Sequence, residues 1–226
     1  MRPFRFLSLT LSAAFTLGIG MAAHADTVIT FSGTTTVGEG ATAPGSASNY
    51  DFFGVGQSHL TNFTVTPLDN SFPGNGGYST ITAPGGSSAF RTGTEYNSGN
   101  PANVILATFT ATFNGSFTVY ILNGNTDLPF VEDTEIGLGV SGGSEVSSPS
   151  LQADTTNQFN IYTVTGVTAG EVFDIYAMGG NGVPGDESNV GGITFNASPV
   201  PEPSSLVLLG AGVLGAFGAT RRRFKA

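Results

Sequence analysis

The stretch Val104-Ile-Leu-Ala-Thr-Phe-Thr-Ala-Thr-Phe-Asn-Gly-Ser-Phe-Thr-Val-Tyr-Ile-Leu122 decides the fold class. Phe109, Ala111 and Phe113 alternate with Thr108, Thr110 and Thr112, and Phe117, Val119 and Ile121 alternate with Ser116, Thr118 and Tyr120. A period of two puts each set on one face of an extended chain, so both halves read as strands with one buried face. Asn114-Gly115 between them suggests a hairpin turn. A two-residue turn would set Phe113 opposite Ser116 and send the apolar faces to opposite sides. A three-residue loop, Asn114-Gly115-Ser116, sets Phe113 opposite Phe117 and keeps the faces together, so that register is expected.

Working outward, further strands are expected at 27–32, 60–66, 135–140, 159–165, 172–178 and 192–196. They are rich in Val, Ile, Phe, Tyr and Thr and are separated by Gly, Pro, Asn and Ser clusters. No stretch between residues 26 and 199 repeats with a helical period. The expected class is all-β, a β-sandwich of jelly-roll or immunoglobulin/fibronectin-like type, with a closed barrel as the alternative. The segment 164–176 is similar to the strand–turn–strand corner of fibronectin-type sandwiches, with Phe173 where a tyrosine would bond the backbone. Residues 70–103 read as a long loop region with a short strand near 78–82. Thr42-Ala-Pro-Gly-Ser-Ala-Ser48 echoes Thr82-Ala-Pro-Gly-Gly-Ser-Ser88, which reads as recurring loop composition rather than a repeat.

Both ends of the chain read differently from this body, taken as residues 26–197. Arg2 and Arg5 precede an apolar run from Leu7 to Ile19, and Ala23-His24-Ala25 follows. This is the order of a secretion signal, with signal peptidase cutting after Ala25 and reading Ala23 and Ala25. Residues 198–226 read as a linker and a tail. Val200-Pro201-Glu202-Pro203-Ser204-Ser205 leads into an apolar, glycine-containing run and then Arg221-Arg222-Arg223-Phe224-Lys225. The fourteen residues from Leu206 to Ala219 would reach about 21 Å as a helix. A membrane helix over 204–220 becomes long enough when the flanking serines and snorkelling arginines are included. Arg221, Arg222 and Arg223 would hold the basic tail, 221–225, in the cytoplasm. The body then lies outside, the side to which the signal sends it.

A proline-bracketed glutamate, a short glycine-containing helix and a terminal arginine cluster, in that order, resemble the PEP-CTERM sorting signal. The resemblance covers residues 200–225 and implies a route. It implies recognition of Pro201, Glu202 and Pro203 by an exosortase, a membrane enzyme that cuts near that element. It also implies transient anchoring in the inner membrane of a Gram-negative bacterium, with final residence at the cell surface or in the extracellular matrix. Exopolysaccharide is the partner that the family setting suggests.

Composition narrows what the body does. Fifteen acidic residues and one arginine, Arg91, leave residues 26–199 with a formal net charge of −14, which repels phosphate backbones and excludes nucleic acid. Cysteine is absent, so neither disulfides nor thiolate metal sites hold the fold. His59 is the one histidine after the signal, and no Gly-x-Ser-x-Gly elbow accompanies it, so no catalytic triad and no enzyme is expected. Gly137-x-Gly139-x-x-Gly142 and Gly210-x-Gly212-x-x-Gly215 match the dinucleotide fingerprint by chance, without a βαβ unit around them.

Asp127, Glu132, Asp133 and Glu135 form the densest acidic cluster and the candidate calcium site. Tyr50, Tyr78 and Tyr96 are the candidates for stacking on sugar rings. The expected function is a non-enzymatic exported surface or matrix protein. A carbohydrate-binding module is the alternative, and a glycan-acting hydrolase is third. The signal reading is checked by mass spectrometry of the exported protein, whose first residue is expected to be Asp26.

Overall fold

A computed structural model describes residues 26–53, 57–67, 72–73, 81–86, 89–90, 94–97, 104–123, 133–148, 151–152, 157–178 and 187–201. The signal peptide and the membrane helix expected at 204–220 lie outside the described residues. The strands, in chain order, begin with β1 (Val28–Val37), β2 (Asn49–Phe52), β3 (Gln57–Leu60), β4 (Phe63–Pro67), β5 (Phe72–Pro73) and β6 (Ile81–Thr82). Then come β7 (Ala89–Phe90), β8 (Thr94–Asn97), β9 (Val104–Ala111), β10 (Gly115–Asn123) and β11 (Asp133–Val140). The last are β12 (Glu145–Ser147), β13 (Leu151–Gln152), β14 (Asn157–Val167), β15 (Val172–Met178) and β16 (Glu187–Pro199).

These strands make the expected all-β sandwich. One sheet runs β1-β14-β10-β16-β2-β3, with β8 paired to β16 and β5 to β8. The facing sheet runs β12-β11-β15-β9-β4, with β13 on β11. Every strand pair is antiparallel. Each expected strand has a counterpart except that the one expected at 60–66 is divided, Leu60 ending β3 in one sheet and 63–66 lying in β4 of the other, and that of the short strand expected near 78–82 only 81–82 falls within the described residues. The real elements are mostly longer, because pairing continues through polar residues that carry no alternation signal, as in β1 to Val37 and β16 to Pro199.

The expected hairpin does not form. β9 pairs with β15 and β4 in one sheet, while β10 pairs with β14 and β16 in the other. Residues 112–114 carry the chain from sheet to sheet, held by the Thr112 N–H on the Asn62 carbonyl at 3.0 Å. Phe109, Phe113, Phe117, Val119 and Ile121 still share one core, as the alternation required, but they enter it from opposite walls. Alternation states which face is buried and is silent on the partner strand. The chain crosses in the same way between β14 and β15, through residues 168–171, which is the corner the sequence suggested.

The two sheets are joined by phenylalanines. Phe63 of β4 stacks on Phe195 of β16, with centroids 3.9 Å apart and planes 12° apart. Its edges meet Phe113 at 5.5 Å and Phe117 at 5.3 Å. Phe109 and Phe173 stack at 5.1 Å, and Phe117 stands edge-on to Phe173 at 5.2 Å. Offset and edge-to-face pairs of this kind add about 0.5–1.5 kcal/mol each beyond the area they bury. No tyrosine stands at position 173 to lock the corner. The buried Tyr162 of β14 instead reaches across the core and donates its hydroxyl to the Ile136 carbonyl of β11.

The Thr-Ala-Pro-Gly echo proves structural. Thr42 and Thr82 form a parallel bridge, with the Ala43 N–H on the Thr82 carbonyl and the Thr82 N–H on the Ala41 carbonyl, both 2.8 Å. Ala43 and Ala83 are both buried with Phe52, Ile81, Leu122 and Phe159, in a second apolar cluster on the outer face of the first sheet. The fourth residue of each copy, Gly45 and Gly85, has positive φ (103° and 96°). The two copies lie side by side over one patch of sheet, which composition alone does not predict.

Phe63→Ala removes the ring that touches both walls. It is expected to cost about 3–5 kcal/mol, read as a lowered urea midpoint of the purified protein.

Candidate functional site: the sorting junction

The body ends on a central strand. β16 lies between β10 and β2, and its last residues pair with the start of β10, Ser198 opposite Ser116 and Pro199 opposite Gly115. Pairing does not stop cleanly at the strand end, because the Val200 N–H donates to the Asn114 carbonyl at 2.7 Å. The side-chain oxygen of Asn114 accepts from the Ala169 N–H at 2.8 Å, tying the same point to the 168–171 crossing. Gly115 makes this approach possible. Its φ is +151°, and a Cβ there would collide with the Ser198 carbonyl and lie 3.0 Å from the Val200 nitrogen. The stretch read as a linker from residue 198 is therefore, up to Val200, part of the fold.

The start of the body lies at the same end. Val28 pairs with Thr165 beside Gly115's partner Val167, and Thr27 donates to the Gly166 carbonyl (3.2 Å) and to Glu171 Oε2 (2.9 Å). Glu171 also accepts the Thr168 N–H at 3.0 Å. β1 and β16 are separated by β14 and β10, so the two termini of the body emerge about 14 Å apart across the sheet. Val28 and Val200, 53% and 60% exposed, are the large hydrophobic side chains left open to solvent among the described residues.

Residues 199–223 match the family model of the PEP-CTERM protein-sorting motif. The chain carries that motif. It indicates an exosortase-sorted exported protein with a transient membrane anchor at its C-terminus, processed by exosortase during export. No curated protein and no solved structure matches the chain. Within the motif, Pro201 is described and exposed. Glu202, Pro203, Arg221, Arg222 and Arg223 lie outside the described residues, as do Ala23 and Ala25 of the secretion signal. Asn114 and Gly115 were read from the sequence only as a turn. Their part in holding residues 198–200 depends on a strand some eighty positions away, and no local pattern carries it.

The remaining candidates do not gather at this end. Asp133 and Glu135 lie on β11, opposite Gln152 and Met178, while Asp127 and Glu132 fall outside the described residues. No group of three acidic or histidine side chains able to hold a metal occurs among the described residues. Tyr50 is half-buried on β2 and packs against Phe52 at 5.6 Å and edge-on to His59 at 6.2 Å. Tyr96 lies on β8, opposite Ser188, and Tyr78 falls outside the described residues. His59 is exposed on the outermost strand, β3. Gly137 and Gly139 lie within β11 and Gly142 in the turn after it, so the fingerprint spacing opens no helix.

Two titratable groups packed against the sheets are held under electrostatic stress. Asp174 of β15 is buried and accepts from the Tyr176 hydroxyl at 3.3 Å. Burial, then the Asp174 and Glu145 charges, push that phenol above its ordinary value. Asp51 of β2 stands opposite Ile193, a core residue, and burial pushes its carboxyl from 3.8 up to about 6. The fold thus favours protonated Asp51. The cost of ionising it is absent below the usual carboxylate range and complete above pH 6 or so. Asp51→Asn is expected to gain on the wild type as pH rises from 4 to 7. The gain is about 1 kcal/mol once solvent screening is allowed for, read from urea midpoints of both proteins across that range.

Proposed function

We propose that this chain is a non-enzymatic surface or extracellular-matrix protein, a folded sandwich delivered outside the cell and released from its membrane tail by exosortase. The observation that carries this reading is the matched sorting motif running directly out of the body's central strand. The charge pattern supports it: basic residues lie in the two terminal segments apart from Arg91, and the acidic residues spread through the body. A body of one sign stays dispersed and repels anionic polymers, and it associates with neutral glycan or through cations.

The test is fractionation of the exporting cell. Wild-type protein is expected outside the inner membrane, shortened at its C-terminus. Glu202→Ala protein is expected in the inner membrane with residues 203–226 still attached. Wild-type protein that stays uncut in the membrane overturns the reading. Saturable binding of the secreted protein on a glycan array would replace it with the carbohydrate-binding module.

A further inference from the structure

We propose that the sandwich restrains its own sorting motif, so that exosortase acts only after the end of β16 peels away from β10. This rests on the reading of residues 199–223 as an exosortase signal. Residues 198–200 are engaged along their backbones: Ser198 and Pro199 pair with Ser116 and Gly115, and the Val200 N–H is bonded to Asn114. Glu202 is two residues further on, so it lies no more than about 7 Å from Val200 by covalent reach. The row of six strands from β1 to β3 in the sheet that holds β16 is about 24 Å wide by strand spacing. A body of that width therefore sits within two residues of the peptide the enzyme must take up. Enzymes and peptide-binding domains that grip an extended segment do so through its main-chain hydrogen bonds. On the body side of the motif those bonds are already made to β10.

A second observation agrees. The end of the sandwich that carries this junction also carries the start of β1, and the exposed Val28 and Val200 lie there. While both terminal segments are still attached, this end is tethered twice to the membrane and faces it. The sorting enzyme therefore meets the body at Thr27–Val28, Asn114–Gly115 and residues 168–171, rather than on a side of the sandwich.

Gly115 sets the tightness of the restraint, because only a residue without Cβ leaves room for the Ser198 carbonyl. Strand ends open locally at small free-energy cost, so the restraint slows processing rather than forbidding it. Releasing one backbone hydrogen bond is worth about 1 kcal/mol, which corresponds to about a fivefold change in the population of the peeled form.

The experiment follows C-terminal shortening of the full chain by pulse-chase in the exporting cell. A Gly-Ser-Gly-Ser insertion between Ser198 and Pro199 keeps the matched residues 199–223 contiguous and detaches the Val200 N–H from Asn114, while a melting temperature of the secreted protein within about 4 °C of wild type verifies that the rest of the body is intact. It is expected to shorten the processing half-time about fivefold. Gly115→Ala is expected to shorten it as well. The insertion keeps the test valid where that substitution impairs folding. An unchanged or longer half-time for the insertion variant overturns the proposal. Removal of the host exosortase distinguishes the two levels: shortening that persists without the enzyme, or with Glu202→Ala, defeats the underlying sorting reading instead.

Discussion

The stack of Phe63 on Phe195 is the contact from which the rest of the structure follows. It joins β4 of one sheet to β16 of the other, with Phe109, Phe113, Phe117 and Phe173 closing around it. A chain without cysteine has no disulfide to clamp the two sheets together, so packing such as this aromatic cluster must do it. The cluster lies toward one end of the sandwich, where the described residues make three crossings between the sheets, at 61–62, 112–114 and 168–171. It is also the end from which β16 leaves. Phe195 is anchored in the cluster four residues before Pro199, so the strand that leads to the sorting motif is held by the aromatic part of the core.

Toward the other end the interior becomes polar. Asn160 and Ser148 are buried, and Asp51 shares a row of the first sheet with Ile193, Ile121 and Asn160. Ser148 accepts from the Ile136 N–H at 3.2 Å and from the Asn160 side-chain amide at 3.4 Å, while Asn160 Oδ1 has no partner. A buried acceptor left unpaired costs about 1–3 kcal/mol. The sandwich is therefore uneven, with an aromatic end that carries stability and the junction, and a polar end that carries unmet hydrogen-bonding capacity. An acidic side chain is tolerated at the polar end because Asp51 can take up a proton near pH 6.

The fold class was legible in the sequence because it depends on short-range alternation. Phe109, Ala111 and Phe113, and Phe117, Val119 and Ile121, are buried as that pattern requires. The partners of those strands were not legible. The same six residues satisfy a hairpin within one sheet and a crossing between two, and the choice rests on which distant strands offer free edges. β9 finds β15 and β4, and β10 finds β14 and β16, over separations that no local rule measures. The sorting motif was readable from 200 onward because its parts are contiguous and chemically unlike a core. Its attachment to the body was not, since Ser198 and Pro199 carry no strand signal and are held only by register with Ser116 and Gly115.

The case of Asn114-Gly115 shows why glycine is the hardest residue to read. A hairpin turn needs it for positive φ, and a close backbone approach needs it for the missing Cβ. Here φ is +151° and the space where a side chain would stand is filled by the backbone of residues 198–200. The Thr-Ala-Pro-Gly copies show the same ambiguity at Gly45 and Gly85. A Cβ on Gly45 would lie 2.6 Å from Thr194 Oγ1, and one on Gly85 would lie 2.9 Å from the Ala47 Cβ. In each case the local sequence reads as a turn, and the physical demand comes from a neighbour in space. In a chain with 33 glycines, those under the tightest spatial demand are the ones a neighbouring segment leans on, and at Gly115 that segment is the strand that continues into the sorting motif.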